Sequence, residues 1–330
     1  MNKKLAILLA VAIIVSIFSG CSKKNEVVVY TAVEQVYCEE IFKKFEDDTG
    51  IKVKAVYDTE ANKTTGLVNR IIAEKDKPLC DVFWNNEFIQ TMALQDKDLL
   101  DTYKPQNAED IPDIYKDREG YWTAMGGRAR VILVNTQLLS EDEYPDSIFD
   151  FASDEYKGES LAMAYPAFGT TKTQTAAMYA QLGEAAGKTL YQKIKDKGVQ
   201  IVDGNSVTKD MVAAGQVAAA YTDTDDAREA LKDNASVKII YPDQGDGGIG
   251  TLITPATVAL IKNAPDKENA KKLIDYIVSR ETESFLIEKG FFDTSVRGGE
   301  NSIKGMNLSL RDIYSMLDTA SKDMEEIFSR

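Results

Sequence analysis

The chain has 330 residues, 39 basic and 53 acidic, for a formal net charge of −14. That acidity argues against nucleic acid and anionic lipid as partners, and the length suffices for two domains with cores of their own. Histidine is absent, which removes the Ser-His-Asp triad, the Cys-His dyad and most catalytic zinc sites.

Lys3 and Lys4 open the chain, a mainly apolar run covers Leu5 to Phe18, and Ser19 and Gly20 precede Cys21. A basic flank, a short apolar core and small residues before a cleavage point predict a secretory signal over 1–20. The run is shorter than the roughly 20 residues a spanning helix needs. Residues 21–25 are expected as a polar tether and the body as extracytoplasmic and soluble. Val27 to Tyr30 reads as a buried parallel strand. Tyr37 to Asp48 reads as a helix with Ile41, Phe42 and Phe45 on one face, stopped by Gly50. Strand Lys52–Tyr57, helix Gly66–Lys75, strand Asp81–Trp84 and helix Glu87–Gln95 complete a β-α-β-α-β-α series. Leu100 to Gly120 is looser, and Tyr121–Met125 and Val131–Asn135 are strand-like. A second series follows: strand Leu161–Ala164, helices within Thr171–Lys197, strand Val199–Val202, helix Val207–Ala214, strand Val217–Thr222, helix Ala227–Asp233 and strand Val237–Tyr241. Leu252 to Ile261 is extended, Lys267–Ser279 and Glu281–Glu288 are helices, and a last helical stretch ends the chain. Cys38, in the first helix, and Cys80, before a strand, are expected as two buried thiols rather than a disulfide.

Three motif matches fail. Gly245-Asp-Gly247-Gly248-Ile-Gly250 follows a strand, but Thr251-Leu-Ile-Thr-Pro255 cannot begin the helix whose N-terminus would cradle phosphates. Asp223-Thr-Asp225-Asp226 starts like a calcium loop, yet Arg228 stands at its sixth place and the closing glutamate is missing. Gly169-Thr-Thr-Lys172-Thr lacks the upstream glycine of a P-loop.

Several ordered fragments do carry a resemblance. Phe45-Glu-Asp-Asp-Thr-Gly50-Ile-Lys-Val53, Pro78-Leu-Cys-Asp81-Val-Phe-Trp84, Gly126-Gly-Arg128-Ala-Arg130-Val-Ile-Leu-Val-Asn135, Ala213-Ala-Gly215-Gln-Val-Ala-Ala, Tyr241-Pro-Asp-Gln and Asn269-Ala-Lys-Lys-Leu-Ile-Asp-Tyr-Ile277 resemble, in order, the family 1 solute-binding proteins, nearest the ferric-iron-binding branch. Ser19-Gly20-Cys21 looks like a bacterial lipobox, which implies cleavage before Cys21, acylation of its thiol and attachment to the cell membrane through lipid alone. The family resemblance implies an α/β fold of the type II periplasmic-binding kind. Two doubly wound lobes, 26–127 with 251–296 and 128–250 with 297–330, are joined by two crossing strands and close on ligand as a hinge. It also implies a monomer that hands its ligand to an ABC-importer permease, with no catalytic cofactor.

In open α/β sheets ligands sit outside the carboxyl ends of strands, here 31–34, 58–63, 85–87, 166–171, 204–206 and 222–226. Ferric-binding relatives carry adjacent tyrosines where this chain has Asp225 and Asp226, and a glutamate where it has Asn86 followed by Glu87. Carboxylates still suit hard cations, so Asp225, Asp226 and Glu87 are candidate metal ligands, while helix capping by Asp223 or Asp226 is the plainer reading. Thr31, Glu34 and Glu60 fall on the same strand ends. Gly169, Thr170, Asn205 and Ser206 precede or open helices and offer an anion-friendly half of the cleft; the resemblance implies a synergistic anion there beside Fe(III), and capping by Thr170 and Ser206 is the alternative. Arg128, at the lobe crossing, would neutralise a ligand anion or the acidic pair, or form an interlobe salt bridge. An aminophosphonate or a polyamine are alternative ligands, and a carboxylate-dependent hydrolase or a lipoprotein adhesin are alternatives of other classes.

Overall fold

The computed structural model describes residues 25–57, 65–233, 236–299 and 303–329. The leader, Cys21 with most of its tether, and Glu60 lie outside the described residues.

Strand β1 (Glu26–Thr31) pairs in parallel with β2 (Lys52–Tyr57) on one edge and β3 (Val82–Asn85) on the other. The helices between them pack their apolar stripes on this sheet, because a parallel sheet buries both faces. Helix α1 (Gln35–Thr49) buries Cys38, Ile41, Phe42 and Phe45, and Gly50 ends it at φ 69° with its N–H on the Glu46 carbonyl (2.8 Å). Helices α2 (Thr65–Ala73) and α3 (Ile89–Asp96) complete the series. The stretch expected to be loose holds a two-residue strand, β4 (Leu100–Asp101), and two single turns of 3-10 helix.

The next segment corrects an expectation. Instead of two strands there is one, β5 (Thr123–Asn135), thirteen residues long. Gly126-Gly127 interrupts the apolar pattern and so reads as a break, yet the glycines let one strand bend and continue. Gly126 has φ 45°, and a Cβ there would lie 2.1 Å from the Phe292 ring. Strand β5 pairs antiparallel with β10 (Ile253–Ile261) through its first half. Through its second half it pairs with β8 (Ala219–Asp223) and β9 (Val237–Ile240). Strands β6 (Leu161–Ala164) and β7 (Gln200–Val202) extend the second lobe in parallel with β8. The order is β2-β1-β3-β10-β5-β8-β6-β7, with β4 beside β10 and β9 beside β5. The two doubly wound lobes therefore meet on β5 and the start of β10, where Arg130 N–H donates to the Leu252 carbonyl (3.0 Å).

The second lobe carries α4 (Gly169–Leu182), α5 (Glu184–Asp196), α6 (Asn205–Ala213) and α7 (Thr224–Lys232). After β10 come α8 (Lys267–Ile277) and α9 (Arg280–Glu288) on the first lobe, then α10 (Leu310–Ile327) against α4 and α5. Helix α10 turns Leu310, Ile313, Leu317, Ala320, Met324 and Ile327 inward, an i, i+3, i+7 stripe. Cys38 and Cys80 are free and buried, and burial pushes the Cys38 thiol up to about 12. The glycine-rich segment 245–250 is a turn without a helix; Lys304 Nζ donates to the carbonyls of Gly245 (3.0 Å) and Gly248 (2.7 Å).

Candidate functional site

Alternate residues of a strand share a face, so Arg128 and Arg130 both leave β5 toward the strand ends where the lobes meet. Every residue of β5 is buried except Arg128, which is partly exposed. Arg130 is fully buried. Its Nη1 donates to Asp223 Oδ1 (2.8 Å), Thr170 Oγ1 (3.2 Å) and Asn205 Oδ1 (3.2 Å), its Nη2 to Thr171 Oγ1 (3.3 Å), and its guanidinium lies 5.2 Å from the Tyr221 ring centre. A buried charge requires such partners.

Asp223 ends β8 and stands at the N-cap position of α7, but its side chain does not cap that helix. Its Oδ2 accepts from Thr170 Oγ1–H (2.6 Å) and Asn205 Nδ2–H (2.7 Å), while Oδ1 takes Arg130. Burial alone would raise its carboxyl; the Arg130 charge and these hydrogen bonds outweigh burial and hold it below the usual range. Thr170 and Asn205 thus serve Asp223, and neither Thr170 nor Ser206 caps a helix: the N-caps of α4 and α6 are Phe168 and Gly204, without side-chain bonds. Ser206 is exposed, and Gly169 opens α4 at φ 53° with open space where a Cβ would be.

Asp225 and Asp226 fill the first turn of α7, where the helix dipole favours negative charge. Oxygens of Asp223, Asp225 and Asp226 lie within 4.8 Å of one another. Asp226 is raised to about 6, first by burial and then by Asp225 and Asp223. Arg128 links this group to the first lobe: Nη1 donates to Asp225 Oδ2 (3.3 Å) and Nη2 to the Asn86 carbonyl (3.4 Å).

The first lobe's strand ends carry acceptors, of which Asn86 shares Arg128 with this cluster. Thr31 is buried at the end of β1 and accepts from Val33 N–H (3.0 Å). Glu34, at the start of α1, and Asn86 each hold a buried side-chain oxygen without a hydrogen-bond partner, as does Asn85. Glu87 turns away. Its carboxylate accepts from Ile89 N–H (2.6 Å), Gln90 N–H (3.0 Å) and Asn85 Nδ2–H (3.0 Å), so it holds the first N–H groups of α3 from the residue before the Phe88 N-cap; it is not among the clustered carboxylates. Burial raises its carboxyl, against those hydrogen bonds and Arg128. The capping expected of Asp223 at α7 is not made, because its carboxylate is drawn to Arg130, Thr170 and Asn205, and no hydrogen bond to Asp226 is found among the described residues. Residues missed in the sequence are Arg130 and Asp293, while Thr171 figures there only as the end of the 166–171 strand-end segment. The Arg-x-Arg spacing in a strand was the available signal for Arg130. Asp293, from the first lobe, accepts from Ala129 N–H (2.8 Å) and Thr224 Oγ1–H and pairs with Arg228 of α7.

Against this geometry stand the relatives. A family model described as bacterial extracellular solute-binding protein matches residues 77–306. The major ferric iron-binding protein of Neisseria meningitidis is 26% identical over 270 residues, covering 79% of this chain and 78% of that one. A putative 2-aminoethylphosphonate-binding periplasmic protein of Salmonella typhimurium is 25% identical over 252 residues, 75% of this chain and 70% of that one. The solved Trichodesmium protein in complex with iron and citrate ligands superposes with a TM-score of 0.79 at 19% identity, covering 92% of this chain and 100% of that one.

Proposed function

This chain belongs to the bacterial extracellular solute-binding protein family, a family of binders rather than catalysts, and from that premise we propose that it captures ferric iron or another hard cation between its lobes and delivers it to an ABC-importer permease. The observation that carries the reading is the trio Asp223, Asp225 and Asp226, with oxygens within 4.8 Å of one another at the carboxyl ends of the second lobe's strands. Arg130 neutralises Asp223, but Asp225 meets only Arg128 at 3.3 Å and Asp226 is raised by both neighbouring carboxylates, so a cation would relieve this repulsion, and oxygen donors suit hard ions. In this reading Asp225 and Asp226 contact the cargo, and Glu34 and Asn86 offer oxygens from the facing lobe. Arg128 is the movable counter-charge that cargo displaces from Asp225. Glu87 orients the α3 end of the cleft through its hold on the first N–H groups of that helix. The lobes comprise 26–127 with 251–296 and 128–250 with 297–330; a leader of 1–20 and acylation at Cys21 hold the body outside the membrane as a monomer.

A second reading rests on the same cluster: an amine-bearing ligand, a polyamine or the aminophosphonate of a Salmonella relative's name, would place ammonium groups on the carboxylates. A thermal-shift panel on metal-stripped protein separates them, comparing ferric iron, divalent metals, aminophosphonates and polyamines. A ligand at a hundred times its Kd adds about 2.7 kcal/mol. The expected result is a shift with ferric iron that Asp225→Ala and Asp226→Ala abolish; a shift with organic amines alone would retire the metal and leave the transport role.

A further inference from the structure

Thr170, Asn205 and Arg130 are side-chain donors gathered at the second lobe's strand ends, of the kind that would hold an anion, and each of them bonds one carboxylate, Asp223. We infer that Asp223 is this protein's built-in anion: it occupies the anion pocket, so that the cleft takes a lone cation with no exogenous anion, and a phosphate- or phosphonate-bearing ligand is refused. The inference rests on the cation-capture reading above and deepens it by fixing the class of cargo.

The geometry gives each carboxylate a different task. Asp223 has about four lone-pair sites, and three are taken: Arg130 on Oδ1, Thr170 and Asn205 on Oδ2. Thr170 stands in the first turn of α4, Asn205 opens α6, and Asp223 precedes α7, so its charge lies where three helices begin. Beneath it Arg130 has no exposed surface. An anion arriving from solvent would therefore find the Thr170, Asn205 and Arg130 Nη1 donors engaged and a fixed negative charge in place, with only first-turn backbone N–H groups left to it. Asp225 and Asp226 differ: Asp225 is exposed and accepts only the 3.3 Å bond from Arg128, and no hydrogen bond is made to Asp226 among the described residues. Their oxygens are open to cargo. A single residue thus separates a binder of cation–anion pairs from a binder of bare cations.

The test uses the full mature protein and probes the anion pocket independently of cargo. Inorganic phosphate and formate are titrated into metal-free wild type and Asp223→Ala, following melting temperature and, for phosphate, the phosphorus-31 resonance. Wild type is expected to show no saturable response to either anion. Asp223→Ala keeps Thr170, Asn205 and Arg130 around an emptied slot, and is expected to melt lower and to recover at least half of that loss with formate. Should Asp223→Ala fail to fold, the wild-type arm still decides, and Asp223→Ser, which shortens the side chain and removes the charge, is expected to show a saturable response to formate where wild type shows none. Saturable phosphate or formate binding by wild type, or a variant that no anion restores, overturns the inference. A parallel ferric titration, with and without phosphate, isolates the cargo reading: no ferric binding with the anion arms as expected retires iron and leaves Asp223 as the internal anion, whereas ferric affinity in wild type that rises more than tenfold with phosphate sinks the inference and keeps iron.

Discussion

Asp226 is held by burial and by two neighbouring carboxylates, all acting in the same direction, to about 6. An acid raised in the folded state binds its proton more readily there than in the unfolded chain. The stability tied to that proton is complete below the unfolded value near 4 and disappears as pH rises through about 6. The metal-free protein therefore carries a penalty at neutral pH of at most about 3 kcal/mol from this residue. Asp226→Asn, a neutral mimic, should match wild type in melting temperature near pH 4 and exceed it at pH 7.5. A variant that tracks wild type across the whole range would show that Asp226 ionises freely. Arg130 and Asp223 present the opposite case, a fully buried guanidinium on a partly buried carboxylate, whose separation costs up to about 3–5 kcal/mol. The sequence made Asp225 and Asp226 visible because they replace a doublet in a recognisable position. Asp223 was visible as a helix start only, since its true partners come from β5, α4 and α6, which sequence spacing does not bring together.

At the level of elements, β5 explains both what pattern reading could see and what it could not. The continuous apolar runs of β1, β3 and β6 and the 3.6-residue stripes of α1 and α10 were legible because burial imposes periodicity. The fusion of two expected strands into one was not, because Gly126-Gly127 looks the same in a turn as in a bent strand. Gly126 has φ 45°, the Phe292 ring beside it, and its N–H on Glu283 Oε1 (2.6 Å). Gly126→Ala should cost about 2–4 kcal/mol through left-handed strain and overpacking, read as a lower denaturation midpoint. The same change at Gly50, in the left-handed helical region but with open space around it, should cost only about 1–2 kcal/mol. Equal losses at the two positions would dissociate the junction from close packing.

Across the whole molecule, the lobes touch beyond the shared strands through α7. Arg228 pairs with Asp293 and donates to the Gly290 carbonyl (3.0 Å), and Thr224 bonds Asp293 as well. The helix that carries the acidic pair is thus tied to the opposite lobe. Removing Arg228 would deduct about 1–2 kcal/mol from the arrangement in which the lobes are together, so Arg228→Met should weaken cation affinity about 5–30-fold. It should also enlarge the metal-free radius of gyration in solution scattering, while cargo restores compactness. Unchanged affinity and scattering would mean that this tie forms and breaks without bearing on closure.

The strand that joins the lobes also supplies the site's two arginines, two residues apart. One faces the cleft and the other lies under Asp223. A substitution in that stretch therefore alters the pivot and the chemistry together, and the two cannot drift independently. A lineage descending from this protein could acquire a new cargo far more readily by changing the loop at 223–226, or the facing tips at 31–34 and 85–87, than by touching Arg128 or Arg130. Preference is free to diversify at the rims, while the axle is inherited whole.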